Sequence, residues 1–185
     1  MSKDKSKWTK HSSKIVHSNP WFNVQKDEVT KPNGDDGEYF IVNCAPACFI
    51  IAQDSDEDIY LIGQYRYAIG EYSLEIPAGS TEGGDPLETA KRELWEETGL
   101  KAENWEKLGE VYSANGLLHE KAITFLATGL TQTGEHEQEE EGIDKLVKLP
   151  LDEILKMIRK GKIKDGQTIT SLLLFLTHKK PSLIK

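Results

Sequence analysis

The chain has 185 residues, a mass near 20.8 kDa and an apolar share of 37%, enough for one domain with a packed core and too much for a disordered chain. Its 23 basic and 31 acidic residues give a net charge of −8, which excludes a broad electrostatic grip on nucleic-acid phosphates. No apolar run reaches the roughly 18 residues of a membrane span, and the basic start (Met1–Lys14) has no apolar core of a secretory leader.

In chain order, residues 1–12 are polar and are expected as a flexible N-terminal arm. Alternating apolar positions predict strands over Lys14–His17 and Trp21–Thr30 around an Asn19-Pro20 turn. A turn cluster at 31–37 precedes expected strands Glu38–Cys44, Ala47–Gln53 and Asp58–Tyr67, with Asp54–Glu57 as a hairpin turn. A short strand, Tyr72–Ile76, ends at Pro77-Ala78-Gly79. Cys44 and Cys48 are read as two free thiols in an apolar stretch, since no second Cys/His pair completes a metal site.

The clearest helix follows. Asp85 is its N-cap, Pro86 its first residue, Glu88 sits three residues after the cap, and Gly99 stops it after Thr98. Strands are expected again over Trp105–Ser113 and Lys121–Thr128, then an acidic loop over Gly134–Gly142. A strand at Ile143–Leu149 and helices over Leu151–Lys160 and Gln167–His178 complete the chain. Strands bracketing one well-capped helix, with further helices at the end, predict an α/β layered domain over residues 13–185.

On a helical wheel Leu87, Ala90 and Leu94 form the buried face. Glu93 and Glu97 stand one turn apart at its margin, with Glu96 close by. Carboxylates packed against an apolar face repel one another unless something offsets their charge. Hard divalent cations do so with oxygen ligands; the alternative is an amphipathic helix whose acidic edge is tied by Arg92.

The stretch from Gly79 through Arg92-Glu93-Leu94, Glu96-Glu97 and Gly99-Leu100 resembles the Nudix box. The second half matches at every defined position. The middle is one residue short, with 12 residues between Gly79 and Arg92 and no Glu just before Asp85-Pro86; Glu82 or Asp85 is left for its structural role. Gln64-Tyr65-Arg66, Leu74–Gly79, Asn19–Phe22 and the run Gly161–Ile169 are similar to the ADP-ribose and nucleoside-diphosphate-sugar pyrophosphatase branch.

That resemblance implies a Nudix α/β/α sandwich with a mixed sheet, forming a homodimer with the N-terminal strands, residues 13–30, in the interface. It implies Mg²⁺ (Mn²⁺ substituting) held by Glu93, Glu97, Glu96, the Ala78 carbonyl and a loop carboxylate: Glu141, two residues before Ile143, or else Glu139. The same loop residue, or Glu96, would take the proton from water, with Arg92 beside them. Arg66 is expected on phosphate oxygens or else in a surface or barrel-end salt bridge, Trp21 and Phe22 on a base or else packed at a strand or dimer interface, and Glu120, beside His119, in a substrate-contacting loop. In that loop Asn115 stands where ADP-ribose enzymes carry Pro. The expected activity is Mg²⁺-dependent hydrolysis of ADP-ribose or a nucleoside-diphosphate sugar in the cytoplasm, with no nucleic-acid or membrane partner. The competing readings are a dinucleoside polyphosphate or nucleotide hydrolase, and a non-catalytic nucleotide-binding module.

Overall fold

Residues 7–134, 137–138 and 142–184 are described by the computed structural model. The elements are β1 (Thr9–Ser18), β2 (Phe22–Thr30), β3 (Asp36–Cys44), β4 (Ala47–Ala52), β5 (Ile59–Arg66), β6 (Glu71–Glu75), β7 (Ala78–Ser80), α1 (Pro86–Thr98), β8 (Leu100–Tyr112), β9 (Leu118–His119), β10 (Lys121–Gln132), β11 (Ile143–Leu149), α2 (Leu151–Arg159) and α3 (Gly166–Lys179). The chain divides into two units: Met1–Ala45 with Tyr112–Lys121, and Pro46–Val111 with Ala122–Lys185.

The first unit is a sheet in the order β1-β2-β3-β9, antiparallel except for the short β3–β9 pair. Its first strand begins at Thr9, so residues 9–12 of the expected arm are strand, and residues 1–6 lie outside the described residues. No apolar alternation announces this half of β1, because all ten of its residues are exposed. Polar cross-strand contacts hold it instead: His11 Nε2 lies 2.7 Å from Thr30 Oγ1, and Ser12 donates to Glu28 at 2.9 Å.

The second unit is layered. One sheet has the order β7-β4-β10-β8, with β4 parallel to β10 and antiparallel to β7, hence mixed. A second, antiparallel sheet has the order β11-β5-β6. Cys48, Ile50 and Ala52 of β4 pack with Ala90 and Leu94 of α1, while Ile51 packs with Ile154 of α2 and Leu172 and Phe175 of α3. Both faces of β4 are therefore covered by helices, which is why its sequence is a continuous apolar run. This is the expected α/β/α sandwich.

Three local expectations change. The turn at Asp54–Glu57 does not close a regular hairpin: β4 and β5 belong to different sheets and meet at the turn through an antiparallel bridge between Gln53 and Ile59 and a hydrogen bond from the Asp54 amide to the Asp58 carbonyl. Asp54 Oδ1 accepts from the Asp56 and Asp58 amides at 2.9 and 3.0 Å, stabilising the turn locally while the chain changes sheet. The strand β8 starts five residues earlier than expected, and β10 runs on to Gln132. The three-residue β7 was not expected as a strand.

The helix α1 forms as its sequence predicts. Asp85 Oδ1 accepts from the Leu87 and Glu88 amides, both at 3.0 Å. Gly99 takes the left-handed conformation (φ 69°) and its N–H reaches Trp95 O at 2.8 Å.

Candidate active site

The turn from β6 into β7 meets α1 through main chain and carboxylate. The Pro77 carbonyl accepts from the Ile50 amide at 2.9 Å, which seats the turn on β4. One residue on, the Ala78 amide donates to Glu97 Oε2 at 2.8 Å. At Gly79 a Cβ would lie 2.0 Å from the Glu93 carboxyl carbon and 2.2–2.3 Å from its oxygens. Glycine is required there because the Glu93 carboxylate fills the space of a side chain.

Glu93 and Glu97 are both buried (7% and 5% exposed) on the margin of α1 that the wheel indicated. Arg92 donates from Nη2 to Glu93 Oε1 and from Nη1 to Glu96 Oε2, each at 2.5 Å. Burial opposes the Arg92 charge, and the charges of Glu93 and Glu96 more than restore it, so its pKa is raised. Arg92 thus orients two carboxylates of the helix. Of the two acids left for the missing Glu of the box, Asp85 caps α1; Glu82 sits exposed on left-handed backbone (φ 50°) beside Gly83 (φ 86°).

Arg66 ends β5 and donates from Nε and Nη2 to the two oxygens of Glu75, at 3.0 and 2.5 Å. The Glu75 hydrogen bond raises the Arg66 pKa, and the charges of Glu75, Glu97 and Asp165 add to it. Burial would push the Glu75 carboxyl up, but hydrogen bonds from Arg66 and Ser73 and the Arg66 charge hold it below the ordinary range. Glu75 lies within the run Leu74–Gly79 and carries no expected role; its signal in the sequence is a charged residue on the inward phase of a short strand.

The run Gly161–Ile169 acts from behind the turn. Asp165 caps α3 by accepting from the Thr168 amide at 2.6 Å, and the fully buried Thr168 hydroxyl accepts from the Ile76 amide at 3.1 Å. The helix α3 therefore holds the residue just after β6 that leads into Pro77-Ala78-Gly79.

Of the acidic loop, Glu137 and Gln138 are described. The Glu137 amide donates to Glu96 O and Gln138 Nε2 to Glu97 O, both at 2.9 Å. The loop is pinned to the main chain of the two residues whose side chains belong to the box. Glu139 and Glu141 lie outside the described residues.

Trp21, Phe22 and Glu120 belong to the first unit, whereas the box and Arg66 belong to the second. Asn19 Oδ1 accepts from the Trp21 and Phe22 amides, each at 2.9 Å; Trp21 is 79% exposed and Phe22 packs on the His17 ring. Glu120 accepts from Ser113 Oγ at 2.7 Å. A cleft of about 530 Å³ opens within this unit among Tyr39, Asn43, Tyr112, Asn115 and His119.

Among the described residues no three His, Cys, Asp or Glu side chains converge as a metal cluster. The donors at the box nevertheless suit a hard divalent cation. They are all oxygens, and Glu93 and Glu97 are buried beside the Ala78–Gly79 turn, where the missing Cβ of Gly79 lets the Glu93 carboxylate lie against the main chain.

A model of the NUDIX domain matches residues 45–171, and a model of the nucleoside diphosphate sugar hydrolase N-terminal domain matches residues 8–42. The chain is 33% identical over 165 residues to an ADP-ribose pyrophosphatase of Mycobacterium tuberculosis, covering 88% of this chain and 80% of that protein. It is 36% identical over 152 residues to a methanol dehydrogenase activator of Bacillus methanolicus, covering 80% and 82%. A solved structure of an ADP compounds hydrolase has a TM-score of 0.82 at 23% identity, over 97% of this chain and 99% of that one, a likeness of fold. Since the family match encloses the whole of α1 and the turn that faces it, the chain belongs to the Nudix family and is a hydrolase of its pyrophosphatase kind.

Proposed function

We propose that this protein hydrolyses the diphosphate bond of ADP-ribose or a nucleoside-diphosphate sugar, giving a nucleoside monophosphate and a sugar phosphate. The observation that carries the reading is the pair of buried carboxylates, Glu93 and Glu97, set against the Ala78–Gly79 turn. The relative named an ADP-ribose pyrophosphatase and the N-terminal domain match support the substrate class.

Glu93, Glu97, Glu96 and the Ala78 carbonyl, joined by Glu141 from the loop, would hold Mg²⁺, with Mn²⁺ able to substitute. A divalent cation held there would supply charge to offset the diphosphate oxygens and would make a bound water more acidic. The protein's own groups do the rest. Arg92 keeps the helix carboxylates in register. Arg66 spends two of its five N–H donors on Glu75 and turns the others to a diphosphate oxygen. Water adds to one phosphorus, the bridging P–O bond breaks, and the water proton passes to Glu141, with Glu139 or Glu96 next in line. Trp21 and Phe22 offer faces for a base, and Glu120 fixes the loop that carries His119.

The carboxylates of Glu75, Glu97 and Asp165 hold the Arg66 guanidinium firmly in its charged form. The protein acts as a homodimer through its N-terminal strands, in the cytoplasm, where Cys44 and Cys48 stay reduced.

The test is a panel of ADP-ribose, GDP-mannose, other nucleoside-diphosphate sugars and dinucleoside polyphosphates with Mg²⁺, products separated by chromatography. Nucleoside monophosphate and sugar phosphate should appear. Turnover of dinucleoside polyphosphates alone, or of nothing, overturns the reading.

A further inference from the structure

We infer that Glu75 is a positioning residue for substrate binding: its carboxylate, at the end of β6, holds the Arg66 guanidinium in the orientation that receives the diphosphate. The inference deepens the function proposed above and rests on it.

Strand register makes the pairing informative. Arg66 lies directly opposite Glu71 in the β5–β6 ladder, while Glu75 lies opposite Ile62. The nearest cross-strand ion pair would join Arg66 to Glu71, which is exposed and pairs with Lys164 instead. Arg66 reaches past it along the same sheet face to a carboxylate that is 6% exposed and stands three residues before Ala78. Burial of the Glu75 carboxylate calls for a charged partner, and the partner it takes is an arginine whose other donors stay available.

The contact is a fork on a carboxylate, and a fork fixes the plane of the guanidinium as well as its position. Glu75 is itself fixed by the hydrogen bond from Ser73 and by the ladder on which it sits. The next residue, Ile76, is tied through its amide to Thr168 of α3. The Arg66 side chain stays nearly half exposed (46%), and Glu75 takes two of its five N–H donors. The guanidinium is close enough to Glu97 and Asp165 to feel both charges, which puts it beside the box. Without Glu75, Arg66 keeps its charge and loses its aim.

The experiment uses the full chain with E75Q, E75D, R66K and the double variant E75Q/R66K. KM and kcat are measured on the nucleoside-diphosphate sugar that the unaltered protein turns over, and equilibrium binding of ADP is measured by calorimetry. Circular dichroism and thermal unfolding report the fold. E75Q should raise both KM and the Kd for ADP at least ten-fold, with kcat within about three-fold. E75D, which keeps the charge, should fall between. The double variant should be no worse than R66K within about two-fold, because one residue acts through the other.

A lower melting temperature with KM and Kd unchanged would make Glu75 a structural strut and overturn the inference. So would a double variant whose loss is the product of the single losses. Should E75Q not fold, E75D and R66K carry the same comparison, and an E75D with unaltered KM and Kd overturns it. Failure of the unaltered protein to turn over or bind any nucleoside diphosphate removes the substrate reading and this inference together; activity unaffected by E75Q and E75D removes this inference alone.

Discussion

The Glu93 carboxylate occupies the place of the side chain that Gly79 lacks, at 2.0 Å from where a Cβ would stand. Two features of the box separated by 14 positions in sequence are thus one steric unit. Gly79→Ala should push the Glu93 carboxylate off its seat and lower kcat/KM by about 10²-fold or more, the scale of one lost electrostatic contact. Gly109→Ala, on β8, whose added Cβ would meet the Leu174 side-chain tip in ordinary van der Waals contact at 3.4–3.5 Å, is the control and should be near neutral. Steady-state kinetics on both variants, with melting curves, check this.

The buried pair on α1 should also make activity depend on a divalent cation. Chelation should abolish turnover, and Mg²⁺ or Mn²⁺ should restore it. Glu93→Gln and Glu97→Gln should each lower kcat by about 10²–10³-fold with an unchanged circular dichroism spectrum. The Ala78 amide keeps an acceptor in the Glu97→Gln amide, so the turn itself should survive. Full turnover in excess chelator would remove the metal from the mechanism.

The parts of this fold that the sequence announced are those where local chemistry and tertiary demand agree. Asp85, Pro86 and Gly99 marked both ends of α1, and the apolar run of β4 marked a strand covered on both faces. The exposed, polar β1 carried no alternation to betray its first half, and β7 is only three residues long. The division at Ala45 was illegible because Tyr112–Lys121 returns to the first unit from far along the chain. At the site, Glu93 and Glu97 stood out by their phase on the helix. Glu75 did not, because its partner Arg66 is brought to it by the strand ladder and not by spacing on one element.

The loop pinned to α1 by Glu137 and Gln138 should supply the proton acceptor. Five glutamates stand within 135–141, where self-repulsion favours a solvated loop without counter-charge. A glutamine scan of Glu137, Glu139, Glu140 and Glu141, reading kcat and KM separately, should find one position that loses kcat heavily with little change in KM. Glu141 is the expected position and Glu139 the next. If all four keep near-native kcat, the acceptor is on α1, at Glu96 or Glu93.

The first unit carries more exposed apolar surface than a free sheet needs. Trp8, Ile15, Val16, Trp21 and Phe40 are all between 46% and 79% exposed, and β1 is a sheet edge exposed along its whole length. A second copy of the chain packed on this unit would cover it. Light scattering should give twice the mass of one chain at working concentrations, and Ile15→Lys with Val16→Lys should shift the mass toward the monomer. A mass near 21 kDa at every concentration contradicts the expectation.

Acid should expose the Glu75–Arg66 contact as a term in stability. The folded Glu75 carboxyl lies below its ordinary value of 4.5, with burial opposing and Arg66 and Ser73 outweighing it. A carboxyl depressed in the folded state binds fewer protons there than when unfolded, so stability rises with pH across the gap. Its contribution is complete above about 4.5 and is lost as pH falls through the folded value. Because the Arg66 side chain is nearly half exposed, the contribution is at the low end for a charged hydrogen bond, about 1 kcal/mol. E75Q removes the titrating group, so it should be less stable than the unaltered chain at pH 7, and the gap should narrow as pH falls below the ordinary carboxyl value through the folded one. Asp54, beside Lys148, titrates in the same direction in both proteins and cancels in the comparison. Urea unfolding of the two proteins from pH 3 to 7 measures the difference; a gap that stays constant across that range would show that Glu75 does not gain its stability from ionisation.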